Sequence, residues 1–146
     1  MDDIPYGSFG FKVEILADDK LAMFQEVSGL SVQIHTEDFT EGGTNYTTRK
    51  VITGASYSNI ILKRGLCNTS MYQWIEDFLY GNHIQRLSGD IKLLGDDGSV
   101  VKVFHFERGI PVKWTGPSLN SMSSAIATEE LEIAHEGLRV SNGVNK

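Results

Sequence analysis

The chain has little of what usually holds a small secreted domain together. It carries a single cysteine, Cys67, so no disulfide can form within it and the fold must rest on packing alone. That composition is compatible with assembly in a reducing cytoplasm. Only three prolines occur in 146 residues. No apolar run approaches the roughly 18 residues that would span a bilayer. The start, Met1-Asp2-Asp3-Ile4-Pro5, is acidic, with no basic region ahead of an apolar stretch, so no secretory signal is expected. Positive charge is also scarce: 13 Lys and Arg stand against 19 Asp and Glu, a formal net charge of −6. Without a basic stripe to displace counterions, stable nucleic-acid binding is disfavoured.

What is present is an ordinary globular mix, 40% apolar and 22% charged, with 15 glycines that point to many turns. The length suits a single domain over 1–146, with residues 1–8 as an N-terminal arm and 139–146 as a flexible polar tail. Phe9 to Leu16 alternates with period two and predicts a strand. Ala22 to Ser28 and Leu30 to Thr36 predict two more, separated by Gly29. Glu41-Gly42-Gly43-Thr44-Asn45 is a strong loop signal. Tyr46 to Ile52 has high β-propensity without a core face, with Gly54 as a break. Ser58 to Lys63 is a strand with Ile60 and Leu62 on one face.

The period then changes. Met71, Trp74, Ile75, Phe78 and Leu79 fall at helical spacing, with Asn68 or Thr69 as the cap and Gly81-Asn82 as the stop. Strands follow at Asp90–Leu94, Val100–Phe106, Ile110–Thr115 and Ala125–Ala134. In the last, Ala127, Glu129, Leu131 and Ile133 share one face, and Ile126, Thr128, Glu130 and Glu132 the other. About eight strands and one helix predict a mainly β chain: an antiparallel β-barrel or sandwich with one peripheral α-helix and an extended hairpin arm.

Catalytic chemistry is thinly represented. His105 and Glu107, at i and i+2 of a strand, make half a metal site, and His135 is the one further ligand to set beside them. A solvent-facing polar pair accounts for the same two residues, and a metal needs three or four convergent ligands. Nothing around Cys67 resembles a nucleophile motif, and the glycines lack phosphate-loop spacing. No cofactor or metal is expected. Lys63-Arg64 is a short basic patch, either solvated or paired with carboxylates of a neighbouring subunit.

Five stretches, taken in order, resemble the tail tube protein family of contractile phages and extracellular contractile injection systems. They are Phe24-Gln25-Glu26-Val27-Ser28-Gly29-Leu30, Glu41-Gly42-Gly43-Thr44-Asn45, Leu62-Lys63-Arg64-Gly65, Pro111-Val112-Lys113-Trp114-Thr115-Gly116-Pro117 and Glu129 through Leu138. The tryptophan-containing helix lies between the third and the fourth.

The resemblance implies a tail-tube-like fold and a structural, non-enzymatic inner tube subunit. Six copies would close edge to edge into rings, and the rings would stack inside a contractile sheath. The implied partners are further copies of the chain, the sheath protein, baseplate or hub proteins, a terminal cap, and cargo (protein effectors or DNA) passing through the lumen. Assembly in the bacterial cytoplasm and release in a phage-tail-like particle or virion follow from the same resemblance. A baseplate-proximal initiator ring is similar in sequence, and phage and injection system are not separated. A small β-barrel metal enzyme or hydrolase using His105, Glu107 and His135 is the remaining alternative.

A lumen too wide for side chains to fill needs a polar wall, and an acidic one would repel DNA. On that basis Gln33, His35, Thr128, Glu130 and Glu132 are the lumen-facing residues expected. The arm around Thr36–Ser58, with Glu41, Gly42, Gly43, Thr44, Asn45 and Tyr46 at its tip, is expected to contact the next ring. An ordinary long hairpin explains the same pattern.

Overall fold

The computed structural model describes residues 10–15, 20–40, 42, 48–67, 70–81, 86–95, 97–122 and 128–142. These form ten strands and one helix: β1 Gly10–Ile15, β2 Lys20–Phe24, β3 Glu26–Ser28, β4 Val32–Phe39, β5 Arg49–Tyr57, β6 Ile60–Cys67, α1 Ser70–Tyr80, β7 Leu87–Leu94, β8 Val100–Thr115, β9 Glu129–Ala134 and β10 Gly137–Asn142.

Eight strands form one curled antiparallel sheet, and β4 and β5 form a separate two-stranded hairpin. The pairings of the large sheet run in a circuit from β8 through β7, β1, β2, β6 and β9 back to β8. Inside the curl lie Phe24, Ile60, Leu62, Trp74, Leu87, Ile91, Phe106, Leu131 and Ile133, all buried. The period-two pattern explains this directly. Along β9, Leu131 and Ile133 point inward while Glu130 and Glu132 point out, and along β6 Ile60 and Leu62 do the same against Ile61 and Lys63. Burying such side chains is worth roughly 1.5–3 kcal/mol each and supplies the stability that no disulfide provides.

The helix closes one opening of the curl. Trp74 is buried, and Ile75 and Phe78 pack against the same cluster, one turn apart. Gly81 N–H donates to Asp77 O at 3.0 Å and ends the helix where the sequence predicts. Leu79, expected on the core face, is instead exposed, as is Tyr80. The expected caps Asn68 and Thr69 lie outside the described residues.

Four departures from expectation shape the fold. The strand predicted over Ala22–Ser28 is two, split at Gln25, because β2 pairs β1 and the far end of β6 whereas β3 pairs β6 alone. Gly54 does not break a strand. It sits inside β5 opposite His35, at a bulge where the register shifts and Thr53 is the extra residue. Val100–Phe106 and Ile110–Thr115 are one 16-residue strand, carried through a bend at Arg108, whose φ of 53° lies in the left-handed region. The flexible tail expected from residue 139 is, through Asn142, the second half of β10. It pairs β8 from Gly137↔Glu107 to Asn142↔Lys102, so ladder bonds hold backbone that its polar sequence left open. Residues 1–8 and 143–146 lie outside the described residues.

Candidate assembly surface

Two surfaces carry the expected functional residues, and they are built differently. The first is a four-stranded antiparallel sheet in the order β3, β6, β9 and the C-terminal half of β8. Its inner face is the core. Its outer face is polar and falls into two rows running across the strands. Register sets Glu26 beside Lys63 and Glu130 beside Thr115 in one row; Ser28, Ile61, Glu132 and Lys113 follow one another in the other.

Ile61, Lys63, Lys113, Thr115, Glu130 and Glu132 line a shallow depression of about 180 Å³ on this face. Glu132 accepts a hydrogen bond from Asn59 Nδ2 at 2.8 Å. Trp114, on the core side, donates from Nε1 to Glu129 at 3.3 Å and packs its ring 4.7 Å from Tyr72. Among the described residues no strand pairs with the outer edge of β3, or with the edge of residues 110–115 of β8 away from β9.

The second surface is the β4–β5 hairpin, which is exposed along both legs up to the half-buried Tyr57. Its base is tied down closely. Gly29 adopts φ +85° and packs so near Asn59 that an added Cβ would fall 1.9 Å from the Asn59 carbonyl oxygen, a conformation and an approach that only glycine allows. Ser31 and Ser58 hydroxyls lie 2.8 Å apart. His135 sits against the same base, with Nε2 3.0 Å from Ser58 O and Nδ1 2.9 Å from Gly137 O. The Tyr57 ring lies 5.4 Å from the His135 ring.

Alternation gives the hairpin two unlike faces. Val32, Ile34, Ala55, Tyr57 and, beyond the bulge, Ile52 share one; Gln33, His35 and Ser56 share the other, where His35 Nε2 and Ser56 Oγ lie 2.9 Å apart. Ile34 and Ile52 are 58% and 69% exposed, so the apolar face is left uncovered by the described residues.

The five residues expected to line a channel are therefore divided. Glu130 and Glu132 lie together on the outer face of the four-stranded sheet, Thr128 is exposed just before β9, and Gln33 and His35 belong to the hairpin. Of the six expected tip residues only Gly42 is described, in a turn; Glu41, Gly43, Thr44, Asn45 and Tyr46 lie outside the described residues. This outer face is less acidic than the channel wall expected from the sequence, because Lys63 and Lys113 stand among Glu26, Glu130 and Glu132. Lys63 was legible as a patch that could meet carboxylates. Glu26 and Lys113 were not, since a short strand and a bulged strand end give too few residues for alternation to declare a face.

The groups weighed for metal or acid–base chemistry have other partners. His105 Nδ1 and Asp90 Oδ1 are 2.6 Å apart across β7 and β8. Glu107 Oε2 lies 3.3 Å from Arg139 Nε. His135 is held by backbone carbonyls at the hairpin base, with its ring 6.4 Å from that of Phe106. Among the described residues no three His, Cys, Asp or Glu side chains converge. A different ionic knot occupies the bend of β8: Glu136 accepts from Arg108 Nε at 2.7 Å and lies 3.2 Å from Arg86. The Arg108 hydrogen bond, aided by the charges of Arg108 and Arg86, holds the Glu136 carboxyl below its ordinary range.

The family model described as T4-like virus tail tube protein gp19 matches residues 7–139. Among solved structures, the chain is similar to one from the sheath–tube complex of the extracellular contractile injection system PVC in its extended state. The two share 23% identity over 96% of this chain and 93% of that one, with a TM-score of 0.73. A chain from the anti-feeding prophage cap that terminates its tube matches at 23% identity, 97% and 94% coverage and a TM-score of 0.72. Hcp1 from Flavobacterium johnsoniae is more distant, at 17% identity, 91% and 95% coverage and a TM-score of 0.53. No curated protein sequence matches this chain at a significant level.

Proposed function

With this chain belonging to the T4-like virus tail tube protein family, we propose that it is the repeating inner tube subunit of a contractile injection system or phage tail, closing edge to edge into rings that stack around a cargo channel. The observation that carries this is the four-stranded sheet: one face in the core, one face polar, and two edges that no strand pairs among the described residues. An exposed strand edge is a template for another chain, and ring closure removes it. Four antiparallel strands run alternately, so the two edges run in opposite directions. A second copy added at either edge therefore continues the antiparallel pairing. Six copies would give about 24 strands and a perimeter of about 115 Å before tilt. Such a lumen is too wide for side chains to fill, and the outer face with Glu130 and Glu132 is the polar wall it requires.

The apolar face of the β4–β5 arm fits the contact between successive rings. Sheath, baseplate and cap are the partners that the related assemblies suggest, with assembly in the bacterial cytoplasm and release as part of a particle. The role is structural. His105, Glu107 and His135, the groups an enzyme would have used, are engaged with Asp90, Arg139 and backbone carbonyls.

Negative-stain electron microscopy of the purified chain over a concentration series tests this. Open rings or stacked tubes are expected. A chain that never forms a ring, alone or with its sheath and baseplate proteins, would overturn it.

A further inference from the structure

The two open edges of the four-stranded sheet carry opposite charges on the same face. Glu26 lies on β3, whose only strand partner among the described residues is β6, and Lys113 lies on the segment of β8 paired only with β9. Both are exposed. Among the described residues neither side chain has a hydrogen-bond or ion-pair partner within the chain. Within the sheet, unlike charges already sit side by side: Glu26 beside Lys63, and Glu132 beside Lys113.

Strand geometry does not by itself decide how copies join. Two β3 edges related by a two-fold axis also pair antiparallel, and so do two β8 edges. Each such joint is isologous: it uses up one kind of edge against its own copy and cannot belong to a ring built from one repeated head-to-tail joint. Charge separates the choices. A β3–β3 joint sets Glu26 near its own copy, and a β8–β8 joint sets Lys113 near its own copy. Only the β8–β3 joint brings unlike charges together. Because side chains alternate, any register that keeps the polar face on one side moves in steps of two residues. When Lys113 is opposite Glu26 they meet directly; when Lys113 is opposite Ser28, Glu26 is the diagonal neighbour. Both spacings lie within reach of these long side chains.

We propose that Glu26 of one copy and Lys113 of the next form the ion pair at the seam between subunits, and that this pair selects head-to-tail joining over either symmetric dimer. This rests on the ring assembly proposed above and specifies how its subunits meet. The repulsive arms matter as much as the attractive one, as in other interfaces that exclude wrong partners by like charge.

The test is charge reversal followed by restoration. Glu26→Lys, Lys113→Glu and the double exchange are compared with the unaltered chain by sedimentation velocity and negative-stain microscopy, with thermal melts followed by circular dichroism to show that each variant folds. Each single reversal is expected to weaken association by about tenfold or more and to remove rings. The double exchange is expected to bring rings back. Folded single variants that assemble as well as the unaltered chain would overturn the seam while leaving the ring in place. So would a folded double variant no better than the singles. An unaltered chain that stops at a dimer overturns head-to-tail selection, and one that never associates counts against the ring itself.

Discussion

Gly65 lies against the ring of Phe24. A Cβ built on Gly65 would fall 2.3 Å from Phe24 Cε1, and Phe24 is itself 1% exposed at the centre of the core. The glycine stands where the β6–β9 register shifts between Leu62 and Gly65, so the backbone comes closest to the aromatic ring where the strand is bent.

Gly65→Ala is therefore expected to destabilise the chain by about 1–3 kcal/mol, since a buried ring must leave its position to admit one methyl group. Denaturant unfolding measures this. Repeating it in a Phe24→Leu background should shrink the loss, because the two residues are in contact and their effects do not add.

Glu130→Gln and Glu132→Gln, made together, address the proposed channel face. Glu130 is exposed and has no ion pair among the described residues, and Asn59 can donate to the carbonyl oxygen of an amide at position 132 as it does to the Glu132 carboxylate. Folding stability should stay within about 0.5 kcal/mol of the unaltered chain. Rings should persist in micrographs. Loss of rings with the fold intact would put these side chains at subunit contacts instead.

Ile34→Asp with Ile52→Asp tests the arm. Both side chains are more than half exposed, so the isolated chain should melt nearly as before. Rings should form but stacking should fail, read as a collapse of tube length to single rings. Deleting Gly42 to Asn45 should have the same effect, and long tubes from either variant would remove the arm from the ring-to-ring contact.

Glu136 makes acid stability informative. Its carboxyl is held below the ordinary value of 4.5, first by the hydrogen bond from Arg108 and then by the charges of Arg108 and Arg86. A depressed carboxyl stabilises the fold above its unfolded value and loses that contribution as pH falls through the folded one. Glu136→Gln should thus lower the melting temperature at pH 7, and the gap should close on acidification as the native carboxylate takes up its proton. A gap independent of pH would mean that the ion pair is not its source.

Much of the local structure was legible in the sequence, and the reason is visible residue by residue. Ile60 and Leu62, or Leu131 and Ile133, stand two apart between polar neighbours, and only a strand with one buried face uses that spacing. Trp74 and Phe78 stand four apart, and only a helix does. The stop at Gly81 needed no tertiary information, because its N–H closes the helix on Asp77.

What alternation cannot state is which strand lies beside which. The division of Gln33 and His35 from Glu130 and Glu132 into two surfaces, the run of β8 through Arg108 and the recruitment of residues 137–142 into β10 all depend on pairing with distant segments. So does the meeting of Glu26, Lys63, Glu130, Glu132 and Lys113 on one face, drawn from four stretches of chain. The sequence by itself determined each strand's two faces and the lone helix, because side-chain period is a local property of the backbone. The tertiary structure alone decided where strands break or continue and which charges share a surface, because a β-ladder bond is made by residues far apart in the chain and has no local signature.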